Sequence, residues 1–357
     1  MDRTLSSARY LSLSQACFIN PKKSELRLPS KDLPVSFVPM AAVDEQFGCI
    51  VDSEARPLGE VQKGFTYFRE GDVLLAKITP CMENGKAAIA RGLVNGIGFG
   101  STEFHVLRPK EGVLPEWVYY FVRSSTFRAE AATRMTGSAG QQRVPVSFLE
   151  EKTIPIPSVE EQHRIIRLLQ QADSARRTRA KTDERTNQLT QAIFLEMFGD
   201  PAVNPRGWPI TTLGDLGETG QYGLNAAALP QGATGVRFIR ITDIDKFGRL
   251  GRAEPAYVSA DTPNVEDYEL KEGDIVIARS GATAGKSYLH KSLPFQAVFA
   301  SYLIRFAINP AKALPIFVAA FLQTREYWRQ RPMHLTPVSP IGSICGYGGL
   351  PADAHGV

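Results

Sequence analysis

The sequence predicts a mixed α/β (α+β) protein in which two similar mixed-sheet domains are joined by one long helix of the coiled-coil type. Three observations carry this expectation. A chain of 357 residues has room for two domains of about 150 residues and a connector. A set of short motifs also occurs twice in the same order. EGDVLLAKITP from Glu70, Asn84-Gly85-Lys86, Ser101, Leu114-Pro115 and WVYYF through Phe121 are matched by EGDIVIARSG from Glu272, Ala284-Gly285-Lys286, Ser301, Leu314-Pro315 and FVAAF through Phe321. The offset is 202 at the glutamates and 200 at the later Lys, Ser and Pro positions, so the register holds across each copy. A period this long means a duplicated domain, whereas solenoid units run roughly 20 to 50 residues. Finally, no Gly or Pro interrupts the stretch between the copies from Glu160 to Phe198.

The first domain, residues 1–157, is rich in short apolar runs bounded by Gly, Pro or Asn, which read as strands: FVPMAAV, DVLLAKI, KAAIA and EFHVLRP. Pro115 then opens a predicted helix running through PEWVYYFVRSSTFRAEAATRM. TIPIPS at 153–158 returns to extended chain, because its prolines remove donors and push the preceding residues out of the helical region. The connector occupies 158–200. Ser158 with Glu161 forms a predicted capping box, and Gly199 before Pro201 supplies the stop. About 39 residues make a rod of roughly 58 Å. Along it Ile165, Leu168, Ala172, Ala175, Arg179, Thr182, Thr186, Leu189 and Ile193 follow a 3-4 spacing, a modest coiled-coil seam.

The second domain, residues 201–335, repeats the pattern with VRFIRITDI, DIVIARS and AVFASYLIRFAI as strands and a helix after Pro315. Beyond it, 336–357 is rich in Gly, Pro and Ala without apolar period and reads as an irregular tail. Continuing the register would require a Gly-Gln-rich loop near 337–342 and a second long helix from about 358, so a chain shortened at its carboxy terminus is expected.

Composition and motifs narrow the function. A charged fraction of 22% and a net charge of +4, spread evenly between the halves, permit nucleic-acid binding only through local placement of Arg and Lys. No run of 18 apolar residues occurs, and the four cysteines Cys17, Cys49, Cys81 and Cys345 form no C-x-x-C pair. A cytoplasmic protein without zinc site or disulfide framework is expected. GATAGKS at 281–287 has three residues where a phosphate-cradling P-loop needs four, and its counterpart MENGKAA lacks the leading Gly. GIGFGS at 96–101 has no glycine counterpart in QAVFAS. No Asn-Pro-Pro-aromatic tetrapeptide is present, and the five histidines are scattered, so no catalytic set and no metal site is expected.

What remains is binding chemistry. Lys77, Asn84, Lys86 and Arg91 in the first copy, and Arg237, Arg240, Arg279 and Lys286 in the second, lie beside strand runs or in loops. Arg and Lys suit guanine edges or phosphates, and Asn suits adenine. Lys86 and Lys286 are expected to point outward from tight turns made by Gly85 and Gly285, where a merely solvated lysine fits as well.

EGDVLLAKI with EGDIVIARSGATAGK, the IPIPSVEEQHRII lead into the helix and the join FGDPAVNPRGWPITTLGDL together resemble the specificity subunit of type I restriction-modification systems. The resemblance covers about residues 65 to 330. It implies two target-recognition domains, each reading half of an interrupted double-stranded DNA sequence, and helices that dock methyltransferase subunits. Ile165, Leu168, Ala172, Leu189 and Ile193 would then supply the helix interface, toward those subunits, the restriction subunit or another specificity chain. It also implies no catalysis and no cofactor in this chain, with S-adenosylmethionine, ATP and magnesium used by partner subunits. A tandem-domain protein-binding scaffold, or a fused methyltransferase or nuclease lacking its usual motifs, are the competing readings.

Overall fold

A computed structural model describes residues 8–26, 30–138, 140–229, 235–251, 254–280, 283–330 and the backbone of 344–345. It divides into two compact units, Met1–Ala180 and Lys181–Val357, with the boundary inside the long helix.

Unit 1 runs β1 (Arg9–Ser12), α1 (Leu13–Ala16), β2 (Cys17–Ile19), β3 (Pro34–Val38), β4 (Glu54–Pro57), α2 (Leu58–Val61), β5 (Thr66–Arg69), β6 (Val73–Ala76), β7 (Ala87–Ile89), β8 (Ile97–Gly100), β9 (Phe104–Pro109), α3 (Pro115–Arg123), α4 (Ser125–Thr133), α5 (Val146–Glu151), β10 (Thr153–Ile156) and α6 (Val159–Phe198). Its sheets are β2-β9-β6-β7 and β4-β3-β8-β5, with β1 paired to β10. β3 and β8 run parallel, and the other pairs are antiparallel. β6 is a continuous apolar run because both its faces are covered. Val73 and Leu75 face a core with Trp117, Val118 and Val122 of α3, while Leu74 faces a second core with Val38, Phe68 and Val106. Each such fully buried aliphatic side chain contributes about 1.5–3 kcal/mol.

Unit 2 repeats this plan with β11 (Ile210–Thr211), β12 (Gln221–Tyr222), β13 (Val236–Ile239), β14 (Ala256–Val258), β15 (Asp274–Ala278), β16 (Ser287–Leu289), β17 (Ala297–Phe299), β18 (Leu303–Ala307), α7 (Pro315–Phe321), α8 (Arg325–Gln330) and β19 (Ile344–Cys345). The sheets β12-β18-β15-β16 and β14-β13-β17 match β2-β9-β6-β7 and β4-β3-β8, and β13 with β17 is again the parallel pair. Ile275 and Ile277 face Phe317 and Phe321, whereas Val276 and Ala278 face Ile239 and Phe299. The predicted tail is described only at Ile344–Cys345, whose backbone pairs antiparallel with Ile210–Thr211; the rest lies outside the described residues.

The single helix predicted after Pro115 is two. Ser124 is extended and its hydroxyl accepts from the Phe127 amide at 3.2 Å, which ends α3 and caps α4. Thr324 takes the same part in unit 2, accepting from the Tyr327 amide at 3.3 Å. The connector helix begins as expected, with the Ser158 hydroxyl accepting from the Glu161 amide at 3.3 Å. Its reciprocal half is replaced, because the Glu161 carboxylate binds Arg164 at 2.6 and 2.7 Å. Gly199, at φ +84°, closes it with its amide on the Leu195 carbonyl.

Candidate nucleic-acid interface

The repeated EGD motif is a turn. In both copies the Asp amide donates to the carbonyl three residues back, Asp72 to Arg69 at 3.1 Å and Asp274 to Lys271 at 3.0 Å. Gly71 and Gly273, at φ +84° and +93°, hold the left-handed corner that a side chain would strain. Each Asp carboxylate then accepts from the first residue of its turn, the Arg69 and Lys271 amides, both at 2.9 Å. In unit 1 the buried Asp72 also takes a fork of two 2.7 Å hydrogen bonds from Arg108. Arg108 reaches Glu25 as well, and Glu25 accepts from the Tyr67 hydroxyl at 2.9 Å. Burial opposes ionisation of Glu25, but the bonds from Arg108 and Tyr67 outweigh it and hold its carboxyl below the usual range. Burial, reinforced by Glu25, pushes the Tyr67 phenol up to about 12.

The Gly-Lys pairs are also structural, which corrects the outward placement expected for Lys86 and Lys286. Lys86 Nζ donates to the Met40 carbonyl at 3.3 Å and Lys286 Nζ to the Ile244 carbonyl at 2.6 Å. Each ties the hairpin after its central strand to the segment that follows the first strand of the parallel pair. Arg237 is likewise turned inward, where its guanidinium donates to the Phe238 and Ala256 carbonyls at 2.9 Å and meets Asp243 at 3.4 Å. Arg240 binds Asp243 and the Glu254 carbonyl. Asn84 donates to Glu45 at 3.2 Å, and Arg91 pairs with Glu116 beside a cavity of about 440 Å³ that Tyr120 and Asp173 also line.

Two of the eight make no side-chain hydrogen bond or ion pair among the described residues, and they occupy one position in the fold. Lys77 directly follows β6 and Arg279 directly follows β15; their amides donate to the Glu103 and Tyr302 carbonyls at 2.9 and 3.0 Å. Lys77 lines a groove of about 510 Å³ with Asn20, Lys22, Lys23, Phe65 and Thr102. Arg279 lies over two rings, 4.9 Å from the Tyr222 centroid and 5.7 Å from that of Tyr302. Behind the groove Glu103 is held by Arg143 at 2.8 and 2.9 Å, and that bonding keeps its carboxyl below the usual range. His105 Nε2 meets the Val144 carbonyl at 2.8 Å while Nδ1 meets the Asn20 amide nitrogen at 3.2 Å, the pattern of a neutral Nε2–H tautomer. Burial lowers its pKa accordingly. Tyr222 and Tyr302 were not picked out in the sequence, where only the cation was recognisable.

The helix seam divides differently from its predicted stripe. Ile165 packs against the unit 1 core beside the buried Ile166, so it is not part of an open face. Leu168 and Ala172 are exposed in unit 1, and Leu189, Ile193 and Met197 are exposed in unit 2. There Phe194 and Phe198 fold under, 5.6 and 4.8 Å from Phe317 between ring centroids. Gln162, absent from the sequence expectations, is fully buried and fixes the start of α6. Its Nε2 donates to the Gly112 and Pro157 carbonyls at 2.9 and 3.0 Å, and its Oε1 accepts from the Leu114 amide at 3.0 Å. Trp117 adds a 2.7 Å bond to the Pro155 carbonyl. The IPIPSVEEQ segment is therefore a joint between sheet, α3 and helix.

Residues 23–191 match the model of the type I restriction modification DNA specificity domain. Over this segment, just under half of the chain, the protein is similar to the type I restriction-modification specificity family. Over 158 residues it is 43% identical to the type I restriction enzyme EcoEI specificity subunit of Escherichia coli and 41% identical to the EcoAI specificity subunit. Each match covers 44% of this chain and 26% of the relative, so the matched part spans about a quarter of those specificity subunits. Among solved structures, the type I restriction-modification system S subunit from M. genitalium aligns over 90% of this chain and 79% of that chain, at 14% identity and a TM-score of 0.45. Among the described residues, no group of three or more His, Cys, Asp or Glu is placed to hold a metal ion. No described helix is long and apolar enough to cross a membrane.

Proposed function

We propose that this chain is a sequence-reading specificity subunit of a type I restriction-modification complex. Each unit reads one half of a bipartite double-stranded DNA target, and α6 docks methyltransferase subunits. The chain itself performs no chemistry. Methyl transfer from S-adenosylmethionine and the ATP- and magnesium-dependent work of the restriction subunit belong to its partners. The observation that carries this reading is the repetition. The segment matching the DNA specificity domain has its sheet order, turn and central-strand cation repeated in unit 2. A duplicated reader fits a target with two half-sites, as dimeric readers fit paired half-sites. The exposed Leu168 and Ala172 at one end of the helix, and Leu189 and Ile193 at the other, are apolar surface of the kind that partner proteins cover.

The experiment is to map methylated adenines in genomes carrying the methyltransferase gene with and without this gene. A bipartite motif that appears only with the gene is the expected result. Failure to bind any DNA even together with the methyltransferase subunit would favour the protein-binding scaffold. Methyl transfer by the purified chain alone would favour a fused enzyme.

A further inference from the structure

The geometry points to Arg279 as a specificity-determining residue of unit 2, presented by Tyr222 and Tyr302 to read a guanine edge in that unit's half-site. This rests on the DNA-reading proposal above. Three observations single the residue out. First, the other arginines flagged in unit 2, Arg237 and Arg240, spend their guanidinium groups on Asp243 and backbone carbonyls, whereas no described carboxylate pairs with Arg279. Second, the two rings over which it lies are themselves turned to solvent, Tyr222 at 39% and Tyr302 at 60% exposure. Large aromatics left exposed around a cation with no carboxylate partner among the described residues make a recognition surface rather than a core. Third, the position is built twice, since the amide of Lys77 in unit 1 makes the same bond after the same strand.

The choice of head group then matters. Arg carries five N–H donors in a fixed fork that matches the O6 and N7 acceptors of guanine, and an aromatic face restrains it before DNA arrives. Less rotamer freedom is lost on binding, so the fork discriminates more sharply than a free side chain. Lys77 offers a point charge in a groove with Lys22, Lys23 and Phe65, so the same socket in unit 1 carries a different reader. One position in the fold thus holds two chemistries, so the two units would select differently there.

The test uses the full chain with its methyltransferase partner, comparing wild type with Arg279→Gln, Arg279→Lys and Tyr302→Ala by methylation mapping and by binding to a library of target variants. Arg279→Gln is expected to relax one guanine position in one half-site, discrimination there falling roughly 10- to 100-fold. The other half-site should remain as strict as in wild type. Arg279→Lys should restore affinity better than discrimination, and Tyr302→Ala should weaken the same position partially. An unchanged motif in Arg279→Gln would overturn the inference alone. So would a loss uniform across sequences with a salt dependence reduced by about one ion, which marks a phosphate contact. A lowered melting temperature with both half-sites weakened would make Arg279 a structural residue and also overturn it. A wild-type complex with no bipartite motif would instead sink the DNA-reading proposal itself.

Discussion

Gln162 gives the sharpest handle on how the helix is set on unit 1. Replacing it with alanine removes the partners of the Gly112 and Pro157 carbonyls and of the Leu114 amide. The Pro157 bond is buried, so its carbonyl loses the full desolvation term of about 1–3 kcal/mol; the other two sites are partly open to water and lose about 0.5–1 kcal/mol each. The total is about 2–5 kcal/mol, before any shift of the α3 turn. For a unit ending at Ala180 that corresponds to a fall in melting temperature of roughly 4–20 °C. Thermal unfolding followed by circular dichroism measures it, with Gln171→Ala, an exposed glutamine on the same helix, as control. Gln162→Glu sharpens the test. It keeps an acceptor for Leu114 but turns an oxygen toward two carbonyls, so it should cost at least as much as alanine. If Gln162→Ala melts within 2 °C of the control, roughly the scatter of surface substitutions, the joint is held by something other than these bonds.

Further outcomes follow from the same geometry. Asp72→Ala leaves the buried Arg108 with Glu25 as its remaining carboxylate and should lower the urea midpoint by somewhat less than the roughly 3–5 kcal/mol of a fully uncompensated charge, while Asp72→Leu with Arg108→Met should recover most of it. An equal loss in both would show that the pair itself, not the under-compensated charge, sets the cost. Leu189→Ser with Ile193→Ser should leave melting within about 1 °C, since both are half-exposed, yet weaken co-purification with the methyltransferase subunit about tenfold. Undiminished co-purification would remove that end of α6 from the docking surface. Burial holds the pKa of His105 and of His290 below the ordinary 6.5, so the folded chain keeps them neutral while the unfolded chain takes up protons. Their stabilisation is complete above pH 6.5 and drains away as pH falls toward the lowered folded values. Melting temperature against pH should therefore drop below 6.5, and His105→Gln should flatten that drop.

The sequence was most legible where local chemistry is strong. A proline start, an uninterrupted helix and short apolar runs bounded by glycine announce themselves through backbone restrictions, and Pro115, α6 and β6 are legible that way. The break at Ser124 escaped because Ser and Thr are tolerated inside helices, and only the hydroxyl's bond to the Phe127 amide turns one into a cap. Lys86, Lys286 and Arg237 are not legible because a long cation beside a strand looks the same whether it reaches water or a backbone carbonyl 19 to 46 residues away. Gln162 was invisible for the same reason, since its three partners are backbone groups with no residue-type signature. The candidate interface was half legible. The cation at the strand end could be named, but the rings that gather around Arg279 come from β12 and from the residue before β18, which only the folded sheet brings together.

The lysine that each copy spends on a backbone carbonyl has a consequence for how the two units can diverge. Residues shared between the copies, the turn aspartate, the corner glycine and the hairpin lysine, are the ones consumed in holding the sheets. Those that differ, Lys77 against Arg279 and Glu103 against Tyr302, sit at the strand ends of that frame. If each unit reads DNA as proposed, interchange of such surface sets between units should leave folding intact while rewriting what each unit selects, with the frame as a reusable chassis and the strand-end socket as its exchangeable tool.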